Sequence, residues 1–417
     1  MSREKSLSGQ LHSRLSEAIV AIKAYSSHEH LYPEQEYLRR KLDFSALLVP
    51  YLNLTLSALR MPAEQIKMLA DTEISEEEKW AIFEPFRGGL FNTDYFLNIQ
   101  IVARDLYGIN DLNADTYQQL GVAMRTVQKP GHYQEVLKKS RLEYALVDYD
   151  ISNVDVNEYD QNCFGLVYRV QNKWLGRNHY EKTGVTTIDQ VFDAIDGHIA
   201  KLAESGLKGI KLAMAAGGMI PLSFKKWTKA EAEASFNKLM STENISIDAI
   251  DKIRPFVDSV IFRFVQNTVE HNLILQVNTA MQSYSAGEPY LLKGLIDAFP
   301  KAKIDLFHAG YPYDGQLAVF SMFFGNVYPD LCWMALVSKT LTKRLLSEWL
   351  DMVPVGKILA NGSDMVFIDN VYAYQKVARE IIVEVLEGKV LAGRYTEDEA
   401  IRIAKMILRK NLQNMLA

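Results

Sequence analysis

The chain reads as an α/β protein built on a (β/α)8 barrel, with a mostly helical insertion after the first strand. Three observations lead to that reading. Eight short apolar runs recur along the 417 residues. Helical patterns separate most of them, and alternating strands and helices imply a parallel sheet. One long stretch between the first and second runs, residues 31–140, reads as mostly helical.

The runs come in order. AYSSH (24–28) is the first and weakest. YALVDYD (144–150), FGLVYRV (164–170), GIKLAMA (209–215) and LILQVN (273–278) follow. KIDLFHA (303–309), LCWMAL (331–336) and KILANGSD (357–364) complete the set. Helix starts are marked by capping boxes, in which two side chains satisfy each other's orphan backbone N–H. Thr187 with Gln190 opens a segment whose apolar residues fall at 188, 191, 192, 195 and 199, a helical spacing. Ser75 with Glu78, and Thr396 with Glu399, repeat the pattern, and the latter opens the terminal helix. Within the insertion, EQEYLRRKLDFSALLVPYLNLTLSALR (34–60) and YFLNIQIVARDLYG (95–108) read as helical. The expected organisation is a barrel from residues 1–30 and 141–417, with residues 31–140 standing over the C-terminal ends of the strands. Barrel active sites lie on that face.

Composition excludes several classes. The chain is 48% hydrophobic and 23% charged, with a net charge of −5. It has no basic stripe for nucleic acid. Its two cysteines, Cys163 and Cys332, are far apart and outside any CxxC pattern. That argues against a disulfide framework and fits a reducing cytosol. The first 27 residues are interrupted by Arg3, Glu4, Lys5, Arg14, Glu17 and Lys23. They read as an amphipathic helix, not a signal peptide. No run of 18 or more apolar residues suggests a membrane span. A cytoplasmic protein with a small-molecule substrate, and with no nucleic-acid or membrane partner, is expected. Homo-oligomerisation is expected from base rates for soluble enzymes. AAGGM (215–219) bears glycines but neither GxGxxG spacing nor a P-loop lysine, so no nucleotide site is read from it.

The chemistry gathers at run ends. His28 and His30 are two residues apart, so a strand points both the same way. Paired neutral imidazoles can grip one cation. HxH alone is a weak signal, but its position strengthens it. His308 ends the sixth run, Asp364 ends the eighth, and Lys211 sits on the fourth. Polar groups near the C-terminal ends of several strands are what a barrel enzyme requires. Each residue also has a simpler reading. Lys211 could be an ion-pair partner, His308 a turn histidine, and Asp364 the cap of a helix starting near Asp369. Arg87, Arg104 and Arg169 are candidates for holding a substrate carboxylate, because guanidinium pairs with it bidentately. The simpler reading of each is a surface or structural arginine.

At these residues the sequence resembles the amidohydrolase superfamily, in its amidohydrolase-related branch of metal-dependent TIM-barrel hydrolases and decarboxylases. The resemblance runs from Ser27 to the C-terminus. It is carried by HEHL (28–31), GIK (209–211), LILQVNTA (273–280), LFHAGYPY (306–313), NVYPDLCW (326–333) and KILANGSD (357–364). It implies that His28 and His30 are metal ligands. Asp364 would ligate the metal or take a proton from its water. His308 would bind metal or polarise substrate. Lys211 matches, more loosely, a position where some members carry a metal-bridging lysine. The implied cofactor is a divalent metal, zinc first, with manganese or iron as alternatives.

One departure stands out. Asn278 occupies the place of the family's strand-5 histidine, and its carbonyl oxygen is a poor zinc ligand beside imidazole. Three accounts follow. His28, His30 and Asp364 hold the metal alone, as in the related uronate isomerases, whose long segment after strand 1 this chain also resembles. A harder metal such as manganese is used. Or the metal has been lost. The expected activity is metal-assisted hydrolysis of a C–N or C–O bond in a small carboxylate-bearing substrate, with Asp364 as proton acceptor, His308 stabilising developing charge, and Lys211 and Asn278 as further substrate contacts. The alternatives are decarboxylation, isomerisation of a sugar acid, or a metal-free binding protein.

Overall fold

The computed structural model describes residues 2–49, 51–148, 158–216, 220–242, 247–279 and 281–417. Seven strands pair in parallel, in chain order: β1 (Ala24–Glu29), β2 (Leu142–Val147), β3 (Phe164–Arg169), β4 (Gly209–Leu212), β5 (Ile274–Asn278), β6 (Lys303–Phe307) and β7 (Val327–Pro329). The curled sheet is joined at its edges by the extended residues around 359–365. On the β7 side, the Leu359 amide donates to the Pro329 carbonyl and the Leu331 amide to the Leu359 carbonyl, both at 3.0 Å. On the β1 side, the Ser27 amide donates to the Asn361 carbonyl at 2.8 Å and the Asp364 amide to the His28 carbonyl at 3.0 Å. The eighth run therefore takes the eighth place of a (β/α)8 fold. It is not a regular strand, because Asp364 turns to φ +62°.

The seventh strand lies upstream of the expected run. Residues 331–336 form a buried turn and the start of a short helix, Met334–Val337. The Asp330 carboxylate accepts from the Cys332 amide at 2.8 Å, and Trp333 takes φ +70°. Both features end the extended backbone, so this stretch is apolar because it is buried. Of the second run, residues 149 and 150 lie outside the described residues, as do residues 217–219 of the glycine-bearing stretch.

The principal helices are α1 (Ser2–Val20), α2 (Glu76–Arg87), α3 (Asp94–Tyr107), α4 (His132–Lys139), α5 (Ile188–Glu204), α6 (Lys339–Met352), α7 (Ile368–Leu391), α8 (Glu397–Lys405) and α9 (Asn411–Leu416). Reciprocal capping boxes open α5 and α8. At α2 only the Ser75 half forms. The 34–60 pattern is not one helix but three short ones, 34–39, 45–48 and 53–58. Val49 precedes a proline, a position that disfavours helix, and it is extended at φ −100°, ψ 139°. The floor of the barrel is filled by Leu146, Val167, Ile274 and Leu359 packed on Leu412 and Met415 of α9. Among the described residues no helix is long and apolar enough to cross a membrane.

A buried carboxylate is one of the ties between the barrel and the helices between β1 and β2. Asp369, at the start of α7, accepts from the Tyr107 hydroxyl of α3 and from His132 Nε2 of α4, each at 2.8 Å. Removing it strands two buried donors. Asp369→Ala is expected to lower stability by about 2–4 kcal/mol, measured by urea unfolding. A loss under about 1 kcal/mol would mean that apolar packing alone holds these helices.

Candidate metal centre

His28 is fully buried near the end of β1, and His30 lies one residue beyond that strand. Their rings meet edge to face with centroids 4.6 Å apart, and their Nε2 atoms are 3.2 Å apart. Asp364 Oδ1 lies 3.2 Å from His28 Nε2 and 3.1 Å from His30 Nε2. These three atoms form a near-equilateral triangle.

Tautomers sharpen the picture. His30 Nδ1 is 2.7 Å from the Asp148 backbone carbonyl, so Nδ1 carries the proton and donates it. Nε2 is then a lone pair, oriented in the way metal-binding histidines are. Burial, then the nearby Lys211 charge, pushes His28 down to about 3, so its ring is neutral. Burial alone would raise the Asp364 pKa, but His28 and His30 hold it well below the usual carboxylate range. Asp364 Oδ1 is buried without a well-aligned hydrogen-bond partner. A tetrahedral site with arms of about 2.1 Å has ligand edges of roughly 3.4 Å. The chain's own donors therefore fit a divalent cation.

A second carboxylate faces the pair. Ligand atoms of His28, His30 and Asp148 lie within 4.8 Å of one another. Asp148 follows β2 directly and is buried. Its Oδ2 is already held by Lys211 Nζ at 2.8 Å and by Arg169 at 2.8 and 3.0 Å. Those cations overcome its burial and keep it ionised. Asp364 Oδ1 instead reaches both Nε2 atoms, and among the described residues no cationic side chain pairs with it. Asp148 serves as the anchor on which the cations and His30 are set.

Lys211 sits in this supporting layer. Its Nζ pairs with Asp148 Oδ2 and lies 2.8 Å from His28 Nε2, and its ring contact is with Phe307, 5.0 Å away. It is an ion-pair partner and buried, which removes it from the mouth where substrate contacts were expected. Strand register builds the layer. Arg169 pairs with Lys211, Lys211 with Gln276, and Gln276 with Asp305. Asn278 stands one step higher, beside Phe307. Phe307 stacks under His28 at 4.9 Å.

His308 directly follows β6 at φ +68°, in the left-handed region. Its Nδ1 lies 3.2 Å from the Cys332 carbonyl, which places the proton there and leaves Nε2 as an acceptor. Burial pushes it down to about 4. A neutral ring with a lone pair at Nε2 suits a ligand or base better than a donor to an oxyanion. Asp364 is not a helix cap: α7 starts at Ile368, with Phe367 in the cap position.

Two expected residues are not brought to the centre. Arg87 is held by both Asp111 oxygens at 2.8 Å and by the Leu112 carbonyl. Arg104 is half-exposed on Asp105 at 2.7 Å. Both belong to the helical segment's own structure. Arg169 does reach the centre: its NH2 lies 3.2 Å from His30 Nδ1, with its side chain 44% exposed.

Sequence reasoning missed Asp148 and Glu29. Glu29 accepts from the amides of Ser363 (3.1 Å) and Met365 (2.9 Å) and from the hydroxyls of Ser26 (2.6 Å) and Ser363. It missed an aromatic wall too. Trp333 packs on His308 at 5.2 Å, and Tyr51 and Tyr95 from the helical segment pack on Trp333 at 6.4 and 6.1 Å. The signal for Asp148 was present, since an aspartate follows the apolar part of the second run as Asp364 ends the eighth.

Known proteins agree with this fold. The chain matches the amidohydrolase family over residues 141–393. That is more than half of it, and the chain belongs to that family. Solved structures similar to it include the uronate isomerase of Thermotoga maritima (15% identity, TM-score 0.80, covering 98% of this chain and 97% of that one). The glucuronate isomerase of Caulobacter crescentus gives 13%, 0.79, 98% and 94%. A protein named as a metal-dependent hydrolase from Lactobacillus casei gives 15%, 0.66, 96% and 97%. Protein fluG of Emericella nidulans is 24% identical over 188 residues, which are 42% of this chain and 22% of that protein's length.

Two outcomes are expected at the centre. Protein purified without chelator should carry about one equivalent of a divalent metal by elemental analysis, lost in a His28→Ala, His30→Ala double variant. Glu29→Gln should stay folded yet bind the metal about tenfold more weakly, because it disturbs the strap that carries Asp364. Unchanged affinity in a competition titration would remove Glu29 from the site's support.

Proposed function

We propose that this protein is a metal-dependent hydrolase that cleaves a C–N or C–O bond in a small carboxylate-bearing substrate. The observation that carries the reading is the triangle of His28 Nε2, His30 Nε2 and Asp364 Oδ1, three electron-pair donors at 3.1–3.2 Å with one exposed guanidinium beside them. A divalent cation on these ligands supplies Lewis acidity, enough to lower the pKa of a bound water to about 7. Zinc suits two imidazoles and a carboxylate, and manganese or iron are the alternatives.

The remaining work falls to the chain's own groups. Asp364 stays ionised and takes the proton of the attacking water, then returns it to the leaving group. Arg169 holds the substrate carboxylate near His30 by two parallel hydrogen bonds. Asp148 keeps Arg169 and Lys211 in place. Tyr51, Tyr95 and Trp333 exclude water from one side. The electrostatics support an acidic substrate. Lys211 and Arg169 balance Asp148 and Asp364, so a divalent ion leaves two positive charges for substrate or water to offset.

A second reading has a specific observation behind it. Two sugar-acid isomerases align with nearly the whole chain, including the helical segment between β1 and β2. In that reading the same centre orients substrate oxygens, and a base moves a proton between neighbouring carbons. One experiment separates the two: metal-loaded protein is offered N-acyl amino acids, lactones and hexuronates, and products are followed by mass spectrometry. Products whose masses sum to substrate plus one water support hydrolysis, and an isobaric ketose, separated from its substrate by chromatography, sinks it. With any turned-over substrate, Asp364→Asn is expected to lower kcat/KM by about 10²–10⁴. Arg169→Gln should raise KM about tenfold or more while changing kcat less. An unchanged KM in the latter would remove Arg169 from substrate binding.

A further inference from the structure

A cavity of about 530 Å³ lies away from the metal centre. It lies between α1 and α7 and is closed by the turn that leads from α4 into β2. Its α1 side is His12, Ser16 and Val20, one helical stripe. Arg141 directly precedes β2 and Asp148 directly follows it. Six residues of strand, about 20 Å, therefore separate the cavity from the metal centre.

The cavity's charges are unbalanced. Lys139, Arg141, Lys376 and Arg379 line it, against Glu380 and Glu384. Both carboxylates are held from outside. Glu380 meets Lys339 at 3.1 Å, and Glu384 meets Lys339 at 2.9 Å and Lys343 at 2.8 Å. Lys376 is spent on Asp105 at 2.6 Å. Arg379 is 3% exposed and has no carboxylate. It donates to the Gln375 carbonyl and side chain and to the carbonyls of Ile22 and Arg141, all neutral acceptors, and its Nε has no partner. A buried cation without an anion is costly. Burial and Arg141 together push it down to about 10.

Arg141 adds a second oddity. It sits at φ +52°, just past the end of α4, a position that glycine takes without strain. Arginine there instead sets a second guanidinium at the cavity beside exposed Lys139. Its carbonyl is fixed by the Ala24 amide at 2.8 Å and by Arg379 at 3.1 Å.

We propose that this cavity is an anion site for a phosphorylated small molecule, held by Arg141 and Lys139 over the buried Arg379. Its volume exceeds that of an inorganic ion and falls in the range of small-molecule sites. Phosphate matches guanidinium bidentately. Ser16 offers a hydroxyl along the opposite wall for the neutral part of such a ligand, and His12 there is held by Glu387 at 2.7 Å.

Calorimetric titration of the full chain tests this, with inorganic phosphate, a hexose monophosphate and the neutral hexose as probes. The hexose monophosphate is expected to bind, to weaken as salt rises, and to bind more tightly than inorganic phosphate. The neutral hexose should not bind. A Lys139→Gln, Arg141→Gly double variant keeps the left-handed turn and should lose at least tenfold in affinity at an unchanged melting temperature. The His28→Ala, His30→Ala variant should bind as the parent does. Absence of binding at millimolar probe would overturn the proposal. So would affinity that survives the cavity variant or disappears in the histidine variant, since the latter assigns the phosphate to the metal centre.

Discussion

Glu29 is the contact on which the site's geometry depends. The chain closes its barrel with a segment that is not a regular strand, so ladder hydrogen bonds alone cannot fix it. A fully buried carboxylate on β1 does so, gathering the amides of Ser363 and Met365 and the hydroxyls of Ser26 and Ser363. Between those two amides lies Asp364, in the left-handed region. A non-glycine residue there costs about 1–2 kcal/mol and persists only where its surroundings over-determine it. Glu29 and the bond from the Asp364 amide to the His28 carbonyl do the determining. The strain at Asp364 is how its Oδ1 comes to meet two imidazoles. His308 and Trp333 are left-handed as well, which concentrates positive-φ residues at the barrel mouth.

Beneath the histidines the barrel is unusually polar. Asp148, Lys211, Gln276, Asp305 and Asp330 occupy levels where apolar layers are the rule in such barrels. Gln276 bridges this layer, donating to the Ser27 carbonyl at 2.7 Å and to Asp305 at 3.0 Å. Burial pushes Asp330 up to about 7, and Asp305 is raised by burial and by Asp330 beside it. Burial and mutual repulsion thus both disfavour a charge on each of the two. The ionised members are those with cationic partners, Asp148 above all. A connected layer of this kind fixes side-chain positions more rigidly than apolar packing does.

The legible parts of the fold were those written in local pattern. Strands β2 to β6 appear where short apolar runs end in polar residues, and α5 and α8 begin at their capping boxes. The seventh strand was misread because burial and extension look alike in sequence: LCWMAL is buried, but Asp330 and Trp333 bend it out of the sheet. The pattern at 34–60 hid two breaks, one set by the residue before Pro50. At the site, His28, His30 and Asp364 could be found because strand ends are where barrel chemistry sits. Glu29 could not, since alternation points it away from the histidines and its partners on the closing segment, Ser363 and Met365, are more than 330 residues distant. Arg87 and Arg104 were plausible by type alone. Asp111 and Asp105, which bind them, carry no sequence sign of doing so.

Asn278 can be understood from the same layer. A strand-5 histidine would add a neutral ligand above Gln276, on the side of the barrel facing away from Asp364's strap. This chain instead concentrates its donors on β1 and the closing segment, which Glu29 ties into one rigid piece. Its cations, Lys211 and Arg169, are gathered on β3 and β4 against Asp148. The centre is thus divided, with electron-pair donors on one wall and positive charge on the adjacent one. That division needs no ligand from β5.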